Sequence, residues 1–303
     1  MPSFVSGGKF YYLSFNGIYE AVNFDGIVIR GDNYISRVAV IDSNNRLWYN
    51  LSEDYNTPLI LLSPDIEFSN VFVGPRVLAA IDIGGNFWYT GELTQNIKSA
   101  QFTRVTAEVN FVHASVFYHG CMMIDVQGNM YVCDNETGPN IQLIKRDIKT
   151  VNANIISLCV DFNGDVWILT YENRLRENIR RREFYRITEG IMIQNAVFWY
   201  GDIFLLSENG QVLAISKNIL ETINTPEQTL NHYTVVAENI QQISGGLFLD
   251  INGEIWKPIL VDGVLRIETP TGIENVKADL VGNQPILTTQ TRFFKTKSSR
   301  NYR

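Results

Sequence analysis

Two groups of side chains in this sequence combine reactive chemistry with a pattern: a recurring aspartate and a run of arginines. Asp42, Asp82, Asp125, Asp161 and Asp250 each close an apolar run and open a turn. In Asp161-Phe-Asn163-Gly-Asp165 and Asp250-Ile-Asn252-Gly-Glu254 the side-chain oxygens alternate, as they do in calcium loops. An aspartate at the start of a turn also accepts hydrogen bonds from backbone N–H groups two residues on. The same residue recurs in five places, which suits a turn built into every unit better than a metal site, so no metal is expected. The arginines lie in ENRLRENIRRREFYR, as Arg174, Arg176, Arg180, Arg181, Arg182 and Arg186. A guanidinium grips carboxylate or phosphate in a forked, two-bond geometry. The run therefore reads as a docking loop for an acidic partner or a nucleic-acid backbone, or as a solvated loop balanced by Glu172, Glu177 and Glu183. The tail TRFFKTKSSRNYR is also basic and reads as a disordered end.

The remaining candidates offer less. His113, His119, Cys121 and Cys133 fall close together, but H-x5-H-x-C-x11-C matches no standard zinc spacing, so these residues are expected in the core. There are three histidines in all and none lies in a triad signature, which leaves acid–base catalysis little to work with. GGKFYY follows no evident strand and precedes no helix, so it is not a phosphate-binding loop. An enzyme and a bound cofactor are accordingly not expected. The formal net charge of −7 gives no general reason for nucleic-acid binding. No apolar run reaches the roughly 18 residues of a membrane helix, and MPSFVSGGKFYYLS lacks the layout of a signal peptide. Three cysteines embedded in apolar patterns read as reduced residues of an intracellular protein, cytoplasmic or nuclear. The sequons at Asn50 and Asn135 are then unused.

These residues sit in a repeating frame. SLCVDFNGDVWILT reads as a strand, a tight Asn163-Gly164 turn and a return strand. The unit recurs around Asp42, Asp82, Asp125, Asp161, Ser207, Asp250 and Thr288, at spacings of 40, 43, 36, 46, 43 and 38 residues. An aromatic residue follows most turns: Trp48, Trp88, Tyr131, Trp167 and Trp256, with Leu213 and Phe294 in the weaker units. These aromatics are expected to pack between neighbouring units. Each hairpin is preceded by an apolar segment such as SNVFVG or IQNAVF, and before that comes a short strand such as FYRITE or YTVVAE. A period near 40 with four antiparallel strands per unit predicts an all-β, seven-bladed β-propeller in a single domain over residues 1–303. FYYLSFNGIYEAVNF forms a hairpin of its own. Residues 18–23 are expected as the outer strand of the last blade, so that the two termini close the ring. Eight blades with an abbreviated first one is the alternative.

RVTAEVNFVHASVFYHGCMMIDVQGNMYV and TVVAENIQQISGGLFLDINGEIW resemble the regulator of chromosome condensation repeat. The resemblance spans nearly the whole chain and implies a seven-bladed ring. The family's Trp-Gly-x-Asn-x-x-Gly-Gln-Leu-Gly extension is replaced here by WYNLSEDYN, WYTGELTQN and WILTYENRL, and no wedge hairpin is recognisable. The expected role is therefore a non-enzymatic interaction module or scaffold with a protein partner, and nucleic acid is not favoured. Guanine-nucleotide exchange or chromatin association, which the family implies, is the alternative. A component of a virion or another assembly is a third reading.

Overall fold

The computed structural model describes residues 3–13, 19–34, 37–50, 57–74, 77–90, 102–105, 108–117, 120–134, 140–153, 157–171, 182–199, 201–216, 233–244, 246–261, 264–269, 280–281 and 284–285. Every regular element within them is a β-strand. Six four-stranded antiparallel sheets follow one another as simple meanders. They span residues 28–62, 68–104, 111–145, 148–186, 193–237 and 240–268, and are blades one to six below. The first, second, third and fourth strands fall on the segments expected from the repeat.

The turn between the second and third strands is built alike in all six blades. The N–H of Asp161 donates to the Asp165 carbonyl at 3.0 Å, and that of Gly164 donates back to the Asp161 carbonyl at 3.0 Å. Within the Asn163-Gly164 pair only the glycine takes a positive φ, of 80°. The loop is therefore longer than the two-residue turn the dipeptide suggests, and the aspartate is part of it. The residue in the glycine slot also joins the blades. Its carbonyl accepts the N–H that opens the first strand of the next blade: Asn45 from Phe68 at 2.7 Å, Gly85 from Phe111 at 2.8 Å and Gly128 from Ile148 at 2.9 Å. Gly164 accepts from Ile193 at 3.2 Å and Gly210 from Ile240 at 2.9 Å.

Apolar side chains fill the space between successive sheets. Between blades four and five, for example, Leu158, Val160 and Ile168 meet Ile193, Ile203 and Leu205. The register of each first strand slips just after its first residue, a bulge repeated in all six blades that adds local twist.

The N-terminus departs from the expectation. It contributes a three-stranded sheet of Ser3–Ser6, Lys9–Leu13 and Tyr19–Ala21, not one outer strand. GGKFYY does follow a strand. Gly7 and Gly8 take φ of 52° and 74° between the paired Ser6 and Lys9, a two-residue turn that needs positive φ at both positions. The short strand SFVS ahead of it was too brief to read as one. The N–H of Val28 donates to the Gly8 carbonyl at 2.7 Å, and Val5, Phe10 and Tyr12 pack on Val28, Val38 and Val40. This sheet therefore occupies the place of a blade before blade one, without a first strand. After blade six, Leu280–Val281 pairs with Gln284–Pro285.

Candidate interaction surfaces

The turn aspartate and the aromatic six residues on form a pair. Asp161 Oδ1 accepts the N–H groups of Asn163 and Asp165, both at 2.9 Å, and Oδ2 accepts the Trp167 indole N–H at 2.9 Å. The indole N–H of Trp48 reaches Asp42 at 2.8 Å, that of Trp88 reaches Asp82 at 2.9 Å and that of Trp256 reaches Asp250 at 3.2 Å. In blade three the Tyr131 hydroxyl lies 3.1 Å from Asp125. Blade five lacks both members, with Ser207 and Leu213, and there the Gln211 N–H donates to the smaller Ser207 Oγ at 3.0 Å. In the other five blades the acid and the aromatic keep a fixed six-residue spacing. The aromatics do border the inter-blade clusters as expected, but most are half-buried and are also fixed within their own blade. Lys145 of blade three lies 3.6 Å from the Trp167 ring centroid.

These contacts occupy the carboxylates with N–H and O–H donors, which accounts for the recurring acid. Burial alone would push the Asp125 carboxyl up, but bonds from Asn129, Gln127 and Tyr131 outweigh it and hold the group below the usual aspartate range. Asp165 is raised, by burial and by the neighbouring Asp161 carboxylate, although Arg186 opposes the shift.

The histidine and cysteines behave as core. His113 Nε2 donates to the Val151 carbonyl at 3.0 Å, and burial lowers its pKa. Cys121 and Cys133 face each other across neighbouring strands, and burial pushes the Cys121 thiol well up. His119 lies outside the described residues. Asn50 is buried and its side-chain amide donates to the Thr57 carbonyl at 3.0 Å, so this sequon is enclosed. Among the described residues no three His, Cys, Asp or Glu side chains come together as metal ligands.

The arginine run divides. Arg174, Arg176, Arg180 and Arg181 lie outside the described residues. Arg182 and Arg186 belong to the fourth strand of blade four, Arg182–Arg186, not to a loop. Arg186 is held by Asp165 at 3.4 Å and Glu189 at 3.2 Å, an anchoring role the spacing did not reveal. Residues 172–181 join the third strand of blade four, Val166–Tyr171, to this fourth strand.

A meander sorts its connections. First-to-second and third-to-fourth links lie at one edge, while second-to-third turns and the links between blades lie at the other. Third-to-fourth links run over residues 51–59, 90–102, 135–141, 172–181 and 217–233 in blades one to five and over 262–263 alone in blade six, against four-residue turns and inter-blade links of two to six residues at the opposite edge. The molecule therefore has a long-loop edge and a tight-turn edge.

Successive four-stranded meanders, packed face to face and joined turn to strand, are the arrangement of a propeller. Solved structures decide the matter. Yeast RCC1 (Prp20), in a complex with Kap60, superposes with a TM-score of 0.61 at 10% identity, covering 86% of this chain and 80% of that one. Hsv2 of Kluyveromyces lactis gives 0.54 at 10% identity over 86% and 91%. Human WBSCR16 gives 0.51 at 11% identity over 69% of this chain and 66% of the human protein, just under two thirds of it. The chain is a β-propeller. At such identities the likeness speaks for the fold, of the kind seen in RCC1. No family model and no curated protein matches the sequence. A further structure of the yeast protein concerns its binding to Gsp1p and histones. In this propeller residues 172–181, whose sequence includes Arg174, Arg176, Arg180 and Arg181, connect the third and fourth strands of blade four.

Proposed function

We propose that the chain is a single-domain, seven-bladed propeller over residues 1–303 that acts as a non-enzymatic protein-interaction module inside the cell. Its long-loop edge is the docking face. The observation that carries this reading is that the longest connections, the third-to-fourth links of blades one to five, all leave from one edge, one of them bearing Arg174, Arg176, Arg180 and Arg181, while the buried chemistry is consumed by the blades themselves. Propellers place function in such loops. A run of forked cations suits an acidic protein surface. The neighbours support the reading, since RCC1 (Prp20) is seen with Kap60. For seven blades, the N-terminal sheet lacks a first strand, and residues 280–285 follow blade six in the place from which that strand can come.

The test is binding from native lysate across a salt series, wild type against Arg176→Ser, Arg180→Ser and Arg181→Ser combined. Arg186 is left intact because it holds Asp165 and Glu189. The variant should fold unchanged and lose its partner at lower salt than wild type does. Identical partners at every salt concentration would assign the docking face elsewhere. Exchange activity is expected to be absent, so nucleotide release from a Ran-like GTPase should proceed at its unassisted rate.

A further inference from the structure

The tight-turn edge carries a pattern of its own. In each blade the residue after the turn acid, or after Ser207 in blade five, donates its N–H to the carbonyl of the residue just before the first strand: Ser43 to Ile27, Ile83 to Glu67, Val126 to Asn110, Phe162 to Asp147, Glu208 to Met192 and Ile251 to Asn239, at 2.9–3.0 Å. One member of every pair is a large apolar side chain. Four blades place it after the acid. Where that slot is polar, as Ser43 and Glu208, the facing slot is apolar instead, as Ile27 and Met192.

All six are exposed. Ile27, Ile83, Val126, Phe162 and Ile251 are 58–65% accessible and Met192 is 47% accessible. They make up six of the eleven large exposed apolar side chains among the described residues. Packing inside a blade does not account for them, and a turn needs no apolar group at either position. Two of them reach the neighbouring turn glycine. Phe162 of blade four crowds Gly128, the turn glycine of blade three, and Ile27 lies against Gly8.

The surroundings of this apolar band are acidic. The turns and inter-blade links at this edge hold ten Asp or Glu residues against two basic ones, Arg46 and Arg146; of the ten, Asp165 and Glu189 pair with Arg186 and Glu208 with Lys149, both on strands. That excess surpasses the net charge of −7 of the entire chain. Acidic groups repel anionic lipid and nucleic acid, whereas lysine or arginine around apolar anchors is attracted by them. We propose that the tight-turn edge is a second docking surface, taking a protein segment whose apolar side chains are flanked by lysine or arginine. It lies opposite the arginine loop, so the two surfaces stand or fall separately.

The test uses the full chain and three short synthetic peptides: leucine pairs alternating with lysine pairs, the same with glutamate for lysine, and the same with serine for leucine. The leucine–lysine peptide should bind. The combined variant Ile83→Ser, Phe162→Ser and Ile251→Ser should weaken that binding at least about tenfold, as should Glu67→Lys with Glu208→Lys. Leu143→Ser with Val235→Ser, exposed on fourth strands, should leave it unchanged. Melting curves check that each variant is folded. Equal binding of the leucine–glutamate peptide, or an affinity indifferent to the triple change, would overturn the proposal. So would a concentration-dependent dimer in sedimentation that the triple change abolishes, because the occupant would then be a second copy of this chain.

Discussion

At the residue scale, the unit of construction is the aspartate–aromatic pair. A carboxylate that accepts two backbone N–H groups and one indole N–H is fully engaged, and each bond to a charged acceptor contributes roughly 1.5–3 kcal/mol when buried and less when half-exposed. Trp167→Phe keeps the ring and removes the donor, so it should cost about 1–2 kcal/mol in a urea titration. With Asp161→Ala the two costs should be markedly less than additive, because both changes break one bond. Additive costs would mean that the indole acts by packing alone. The pH dependence has a definite sign at Asp125. Its folded-state pKa lies below the unfolded value, so its contribution is present above the ordinary aspartate range and is lost as pH falls through the lower folded value. The stability gap between wild type and Asp125→Asn should therefore narrow below about pH 4. A gap that stays constant into acid would show that the carboxylate charge is not what the turn uses. The sequence displayed both members of this pair at fixed spacing. It did not display their bond, since an aromatic past a turn also satisfies ordinary packing.

At the element scale, the turn glycine does two jobs that one substitution pair can separate. Gly164 has a φ of 80°, and a Cβ there would come within 2.8 Å of the Met192 and Ile193 backbone. Gly190 has a φ of 75° with nothing within 4 Å of such an atom. Gly190→Ala should cost only the conformational penalty of about 1–2 kcal/mol, whereas Gly164→Ala must also push apart the joint between blades four and five. Thermal melts of the two variants should place Gly164→Ala clearly lower; equal melting temperatures would mean that the joint yields freely. Blade one uses Asn45 in this slot at a φ of 60°, one of the few side chains that tolerate the conformation. The strands of all six blades were readable because apolar runs, turn residues and the 40-residue spacing agree with one another. The fate of the arginines was less readable. A charged residue on a fourth strand looks like a loop residue until its partners, here Asp165 and Glu189, are placed beside it.

At the scale of the whole molecule, the termini decide how the array of blades ends. The N-terminal sheet brings three strands to the first-blade interface, where Val5, Phe10 and Tyr12 are buried. Only the second of its hairpins is legible in the sequence, because SFVS is four residues long and its Gly-Gly turn carries no polar signature. Removing residues 1–24 uncovers Val28, Val38 and Val40 and should cost on the order of 5 kcal/mol, from three large side chains at about 1.5–3 kcal/mol each. That loss is expected whether or not the ring is closed, so it cannot test closure alone. A double deletion can. In a closed ring, removal of residues 1–24 and removal of residues 280–303 each open the same seam, and the second deletion adds little once the first is made. In an open array each end packs only on its own neighbour, and the costs add. Urea titrations of the two single deletions and of the double deletion should therefore give a double-deletion loss close to the larger single loss. A loss equal to their sum would show that the termini do not meet, and the N-terminal sheet would then be an abbreviated blade at the open end of the array.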